Sequence, residues 1–272
     1  MTALVPALLA SVARHLHSDE PIVTFPASGA GAWDRWDRFL AIRDARVFEI
    51  GNICGTCEFW FRRLETAGGP IELEAIRGRL NEGLAKIDRD VVDAFASILQ
   101  TGTYRIALLR LQPEIVAVAS AEDYFASDQP AEWRDRNESP HDPGVTYYRV
   151  DNRFGVAAPS KGDKVYEFLV PLEPAAELDS DRIAFFERKL SEGGTPTAVA
   201  AGVLDIKGYW DSPHSHWCVG HYLLDGHHKV EAAARIGRPI TLLSFIASEQ
   251  GISSPEQIDQ LLAGHALDVV EG

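Results

Sequence analysis

HYLLDGHHKVEAAARIGRPITLLSF, residues 221–245, is the stretch on which the reading of this chain turns. An apolar strand pattern runs into Asp225-Gly226-His227-His228-Lys229, and a helical pattern begins at once. Gly237 closes that helix, and Pro239–Phe245 reads as another strand. Gly226 permits a tight turn with positive φ. The first N–H groups of the helix have no partner within it, and with the helix dipole they form an anion site. Lys229 adds a formal charge, and the two histidines can donate hydrogen bonds or carry protons. Asp225, at a strand end, is a carboxylate able to hold Mg²⁺ or act as a base. The plain alternative is a capped strand-to-helix turn, in which Asp and Gly are common. Two adjacent histidines followed by lysine favour a phosphate-bearing ligand.

These residues resemble the ParB/sulfiredoxin-like fold, in particular its members with an LDGHHR signature, such as free-serine kinases. The resemblance spans roughly residues 164–247. It rests also on Pro171-Leu172-Glu173 at a strand end, a helix ending in Ser191-Glu192-Gly193-Gly194, and Pro196 before the next strand. Lys229 stands where those relatives carry arginine, which keeps the charge and loses the bidentate grip. The segment GYWDSPHSHW, 208–217, departs from a compact family hairpin. The resemblance implies a site for ATP or ADP with Mg²⁺, its phosphates held by Gly226, His227, His228 and Lys229. It implies a catalytic set of Glu173, Asp225 and His227, with Glu173 or Asp225 activating a substrate hydroxyl and Glu177 and Glu167 as substitutes. The implied function is nucleotide-dependent phosphoryl transfer to a small hydroxylated metabolite. A ParB-like nucleotide-binding or hydrolysing regulator and a zinc-stabilised, non-enzymatic interaction protein are the rival expectations.

Composition bounds these readings. The chain has 272 residues, 46% hydrophobic and 24% charged, a globular mix with room for one large domain or two ordinary ones. Twenty-six Lys and Arg against 40 Asp and Glu give −14, which repels a phosphate backbone and argues against nucleic acid as a partner. The apolar runs are short for a membrane span, and no basic residue precedes the apolar N-terminal stretch, so neither a span nor a signal peptide is expected. Three cysteines fit a reducing cytoplasm. Oligomerisation stays open.

The N-terminal stretch from Ala3 to about His17 reads as an amphipathic helix, and Trp33, Trp36 and Leu40 fall at helical spacing. Leu73, Ile76, Leu80, Leu84, Ile87, Val91, Phe95 and Ile98 form one apolar stripe, with Gly78 and Gly83 as points where that helix bends or breaks. Residues 104–111 and 114–120 read as strands, 129–163 as a long loop, and the last hundred residues as alternating strands and helices with some parallel pairing. The expected architecture is mixed α+β. A helix-rich domain spans 1–160, a ParB/sulfiredoxin-like α/β domain 161–250, and a helical tail 251–272.

Cys54-Gly-Thr-Cys57 has the spacing of a zinc knuckle. Cys218 lies in a stretch that also holds His214, His216, His221, His227 and His228. Cys54, Cys57, Cys218 and His216 (or His214) would make a Cys₃His site for structural zinc. Reduced, partly buried cysteines beside Phe59 and Trp60 are the alternative.

Overall fold

A computed structural model describes residues 7–28, 38–51, 58–65, 71, 73–133, 141–150, 162–208 and 213–266. In chain order these residues form strand β1 (Ala7–Leu16), then β2 (Val23–Thr24), β3 (Arg38–Ile42), β4 (Ala45–Ile50) and β5 (Phe61–Arg63). Helices α1 (Glu74–Glu82) and α2 (Arg89–Ala96) lead to β6 (Gly102–Leu111) and β7 (Pro113–Val116). Helix α3 (Asp128–Trp133), β8 (Tyr147–Val150) and β9 (Lys164–Pro171) follow. The chain continues through α4 (Ser180–Ser191), β10 (Thr197–Lys207), β11 (His216–Asp225), α5 (His227–Arg235), β12 (Ile240–Ala247) and α6 (Pro255–Ala266).

Eight strands make one mixed sheet in the order β1-β6-β12-β10-β11-β9-β8-β7, and β2-β3-β4-β5 make a separate antiparallel sheet. Parallel pairing occurs at β10–β12 and β11–β9. The large sheet takes strands from both sides of residue 160, so one sheet joins the two expected regions. Side chains alternate between its two faces, with a bulge in β1 between Leu8 and Ala10. On β6, Tyr104, Ile106 and Leu108 join a core with the small sheet, α1 and α2. Ala107, Leu109 and Leu111 join a second core with α4, α5 and α6. The result is three layers with the large sheet in the middle. Among the described residues no helix is long and apolar enough to cross a membrane.

The architecture is mixed α/β, but the N-terminal part is rich in strands rather than helices. Residues 7–16, expected as helix, form β1, hydrogen-bonded antiparallel to β6 from Ala7–Arg110 to Leu16–Gly102. Apolar spacing there suits either element, and the open edge of a ten-residue strand decides it. Leu40, expected on a helix, lies in β3, while Trp33 and Trp36 fall outside the described residues. The stripe from Leu73 to Ile98 is buried as one face, but on two helices. Gly83 ends α1 with φ +102°, where a Cβ would meet the Thr195 carbonyl oxygen at 2.0 Å. Asp88 caps α2 by accepting from the N–H groups of Asp90 and Val91. Within the expected loop 129–163, β8 pairs with β7 and β9.

Candidate functional site

Strands β9 and β11 run parallel with Pro171 opposite Leu223, so both chains leave the sheet at the same edge. That places Asp225–Lys229 beside Leu172 and Glu173. At the exit of β11, Gly226 adopts φ +94° and ψ 22°. A Cβ there would sit 2.7 Å from the Ala198 Cβ and 2.8 Å from its Cα, on neighbouring β10. Both the conformation and the close approach therefore require glycine. The Gly226 carbonyl accepts from the N–H groups of Lys229 (2.9 Å) and Val230 (3.0 Å). No side chain caps α5, and among the described residues no acceptor meets the His227 and His228 N–H groups. The positive end of α5 thus opens onto a cleft of about 260 Å³.

The cleft gathers side chains from four parts of the chain. Helix α1 brings Arg77 and Asn81, the segment after β9 brings Glu173, Glu177 and Asp179, α4 brings Arg182, and the turn brings Asp225–Lys229. Glu173, Asp225, Gly226, His227, His228 and Lys229, expected to form the phosphate and catalytic site, all line this one cleft, as does the substitute Glu177.

The two histidines hold the turn in place as well as line it. The Leu172 N–H donates to His227 Nε2 at 3.1 Å, so that nitrogen is an acceptor and the ring hydrogen sits on Nδ1. Nδ1 lies 3.8 Å from Glu173 Oε2. Burial drives the His227 pKa down to about 4, with Asp225 opposing, so the ring is neutral at pH 7. The Asp179 N–H donates to His228 Nε2 at 3.1 Å, and burial with the nearby Arg182 guanidinium lowers this pKa too. The His227 Nε2 thus ties α5 to the end of β9 and the His228 Nε2 ties it to the start of α4, which leaves the main-chain N–H groups of these residues facing the cleft.

Lys229 is buried and turned inward. Its Nζ donates to the Thr197 carbonyl oxygen (2.9 Å) and to Asp225 Oδ1 (3.0 Å) and lies over the Phe186 ring. Burial lowers its pKa, and Asp225 opposes the shift. Asp179 accepts from the N–H groups of Asp181 and Arg182, capping α4, and these bonds lower its pKa. Glu173 is partly exposed at the cleft wall.

Sequence reasoning missed Arg77, Asn81 and Arg182. Arg182 was within reach, since it stands one turn before Phe186 on a helix flanking the expected site. Arg77 and Asn81 arrive from some 150 residues away and leave no local signal.

Glu167, expected as a substitute base, is nowhere near the cleft wall. It is 1% exposed between β9 and α6, with Oε1 2.8 Å from His221 Nε2 and Oε2 3.0 Å from His265 Nε2. His221 Nδ1 is 2.8 Å from the Ser244 hydroxyl, and His265 Nδ1 is 3.0 Å from the Leu261 carbonyl oxygen. Burial alone would raise the Glu167 pKa, but the two histidines outweigh it and lower it to about 2.

Of the expected zinc ligands, Cys54 and Cys57 lie outside the described residues. His216 and Cys218 point into the core on the small-sheet side and meet at the Tyr124 hydroxyl. It lies 2.8 Å from His216 Nδ1 and 3.6 Å from the Cys218 sulfur. Burial pushes the Cys218 thiol well up. Among the described residues no group of three or more His, Cys, Asp or Glu side chains is placed to hold a metal. The cleft carboxylates Glu173, Glu177 and Asp225 are hard oxygen donors. They suit Mg²⁺, which takes one or two carboxylates and completes its shell with waters and substrate phosphates.

No protein-family model matches the chain, and neither a curated protein nor a solved structure matches it.

Proposed function

We propose that this protein is a nucleotide-dependent phosphotransferase acting on a small hydroxylated metabolite in the cytoplasm, built on a ParB/sulfiredoxin-like core across residues 164–247. The observation that carries the reading is the cleft itself. An uncapped helix N-terminus, Arg77 and Arg182, and the carboxylates Glu173, Glu177 and Asp225 converge on about 260 Å³. Phosphoryl transfer asks the protein mainly for positioning and for charge stabilisation, and these groups supply both.

In this scheme the α5 N–H groups and Arg182 hold the donor phosphates. The acceptor hydroxyl attacks the terminal phosphorus and gives its proton to Glu173, while the bond from that phosphorus to the bridging oxygen breaks. The shortened nucleotide leaves with the electron pair. His227 is a positioning residue, its Nδ1–H facing Glu173 Oε2. Bound Mg²⁺, held by Asp225 or Glu177 and the phosphates, would neutralise charge on the transferred group.

The test is to incubate the full chain with Mg²⁺, ATP or ADP, and a pool of hydroxylated amino acids and related metabolites. One acceptor should gain a single phosphoryl group with matching release of the shortened nucleotide. Glu173→Gln should lower that rate about 10²- to 10⁴-fold, the range for a lost general base. Nucleotide binding without transfer to any acceptor would point instead to the nucleotide-binding regulator, and no binding at all would end both readings.

A further inference from the structure

We infer that the cleft reads the polyphosphate chain of its donor and not the base, so that inorganic tripolyphosphate binds as a nucleoside triphosphate does. This rests on the phosphotransferase reading and deepens it. Base recognition needs an apolar shelf or an aromatic face with a few polar groups set around it. Among the described residues the apolar side chains at the cleft are Ile71, Phe186 and Leu224, at 3%, 4% and 0% exposure. Phe186 is the one aromatic ring among them besides the histidines, and the Lys229 ammonium stands over it at 5.8 Å from the centroid. That ring face is taken. Both histidine rings are tied through Nε2 to main-chain N–H groups.

What the cleft offers a ligand at its surface is charge of both signs, main-chain donors and the Asn81 amide. Arg77 from α1 and Arg182 from α4 flank the two uncapped N–H groups of α5. Spread cations with a helix N-terminus match a chain of phosphates, whereas the described residues present no exposed ring or apolar shelf on which a purine or pyrimidine could stack. The size agrees, since about 260 Å³ is below the roughly 300–1,000 Å³ that encloses a drug-sized ligand. The cleft accommodates the phosphates and leaves the nucleoside outside. Four carboxylates face three formal cations here, so the chain of phosphates enters as its Mg²⁺ complex.

The experiment is calorimetric titration of the full chain, with Mg²⁺ in excess, by ATP, GTP, tripolyphosphate and adenosine. The dissociation constants of the first three should agree within about threefold, and adenosine should give no heat, because the gain from the phosphates is common to all three. Arg182→Ala should weaken all three by the same factor of about ten or more, as expected for a lost charge-assisted bond, and Arg182→Lys should recover part of it. A nucleotide that binds at least about tenfold tighter than tripolyphosphate overturns base indifference while leaving the phosphate site standing. If Arg182→Ala weakens nucleotides and leaves tripolyphosphate unchanged, the two occupy different places and the inference falls. If neither nucleotide nor tripolyphosphate binds, the phosphotransferase reading itself falls.

Discussion

Two clusters of histidine and carboxylate sit on this sheet, one sealed among internal partners and one open to a cleft. In the sealed cluster, Glu167, His221, His265 and Ser244 are at most 1% exposed, and every ring nitrogen meets a protein group. The Leu261 carbonyl oxygen and the Glu167 carboxylate are both acceptors set against the His265 ring nitrogens. Glu167 lies between the two rings, which hold its carboxyl low despite burial. His221 donates from Nε2 to Glu167 and accepts at Nδ1 from Ser244. The arrangement pins α6 against the sheet. Gly202 makes room for it, since a Cβ there would lie 2.9 Å from the Ser244 hydroxyl oxygen. In the open cluster, His227 and His228 are fixed by main-chain N–H groups, and the carboxylates beside them reach solvent. The same residue types serve packing where their partners are all internal, and leave carboxylates and main-chain donors facing solvent where one side is open.

This contrast can be broken experimentally. The largest stability effect belongs to the sealed cluster. Glu167→Ala leaves two buried ring nitrogens without their shared acceptor and should cost about 3–5 kcal/mol in denaturant unfolding. A change within the scatter of ordinary surface substitutions would mean that the cluster does not hold α6 to the sheet. Next comes Gly226→Ala in the open cluster, which forces a side chain into φ +94° against Ala198. About 1–3 kcal/mol of strain is expected by the same unfolding measurement, together with weaker nucleotide binding as the α5 N-terminus shifts.

Titration sharpens the comparison further. His227 has a folded pKa near 4 against an ordinary 6.5, so between those values the unfolded chain binds more protons. Its contribution is complete above about pH 6.5 and is lost as pH falls towards 4. Glu167 is held near 2 against an ordinary 4.5, so its contribution is complete above about pH 4.5 and is lost as pH falls towards 2. Stability measured against pH should therefore fall in two stages, the open cluster first. His227→Gln, which keeps an acceptor for the Leu172 N–H, should remove the upper stage and leave the lower one. A wild-type-like upper stage in that variant would assign it to another group.

What the sequence made legible follows from how local each signal is. The α5 turn could be read because strand end, left-handed glycine and helix start are five consecutive residues. Strands β9 to β12 and helices α4 and α5 carry their own periodicity, and they run in the expected order. The fate of residues 7–16 could not be read, because a partner strand nearly a hundred residues away decides it. Neither could the sealed cluster, whose members stand 54 and 98 residues apart. One separation was available and went unused. On β11, His216 and Cys218 share a parity, and His221 has the other, so a strand sends them to opposite faces. Read from sequence, His216 or His214 belongs to a zinc site and His227 and His228 to the phosphate turn, and no place is assigned to His221, which the strand turns toward Glu167 and Ser244.

The most direct test sets Glu173→Gln against Glu167→Gln in parallel, measuring phosphoryl transfer per folded molecule and unfolding midpoint for each. The account predicts opposite losses. Glu173→Gln, at the cleft wall, should keep the midpoint and lose transfer, while Glu167→Gln should lower the midpoint and keep transfer. Transfer lost in Glu167→Gln at an unchanged midpoint, with Glu173→Gln fully active, would contradict it and move the chemistry to the sealed cluster.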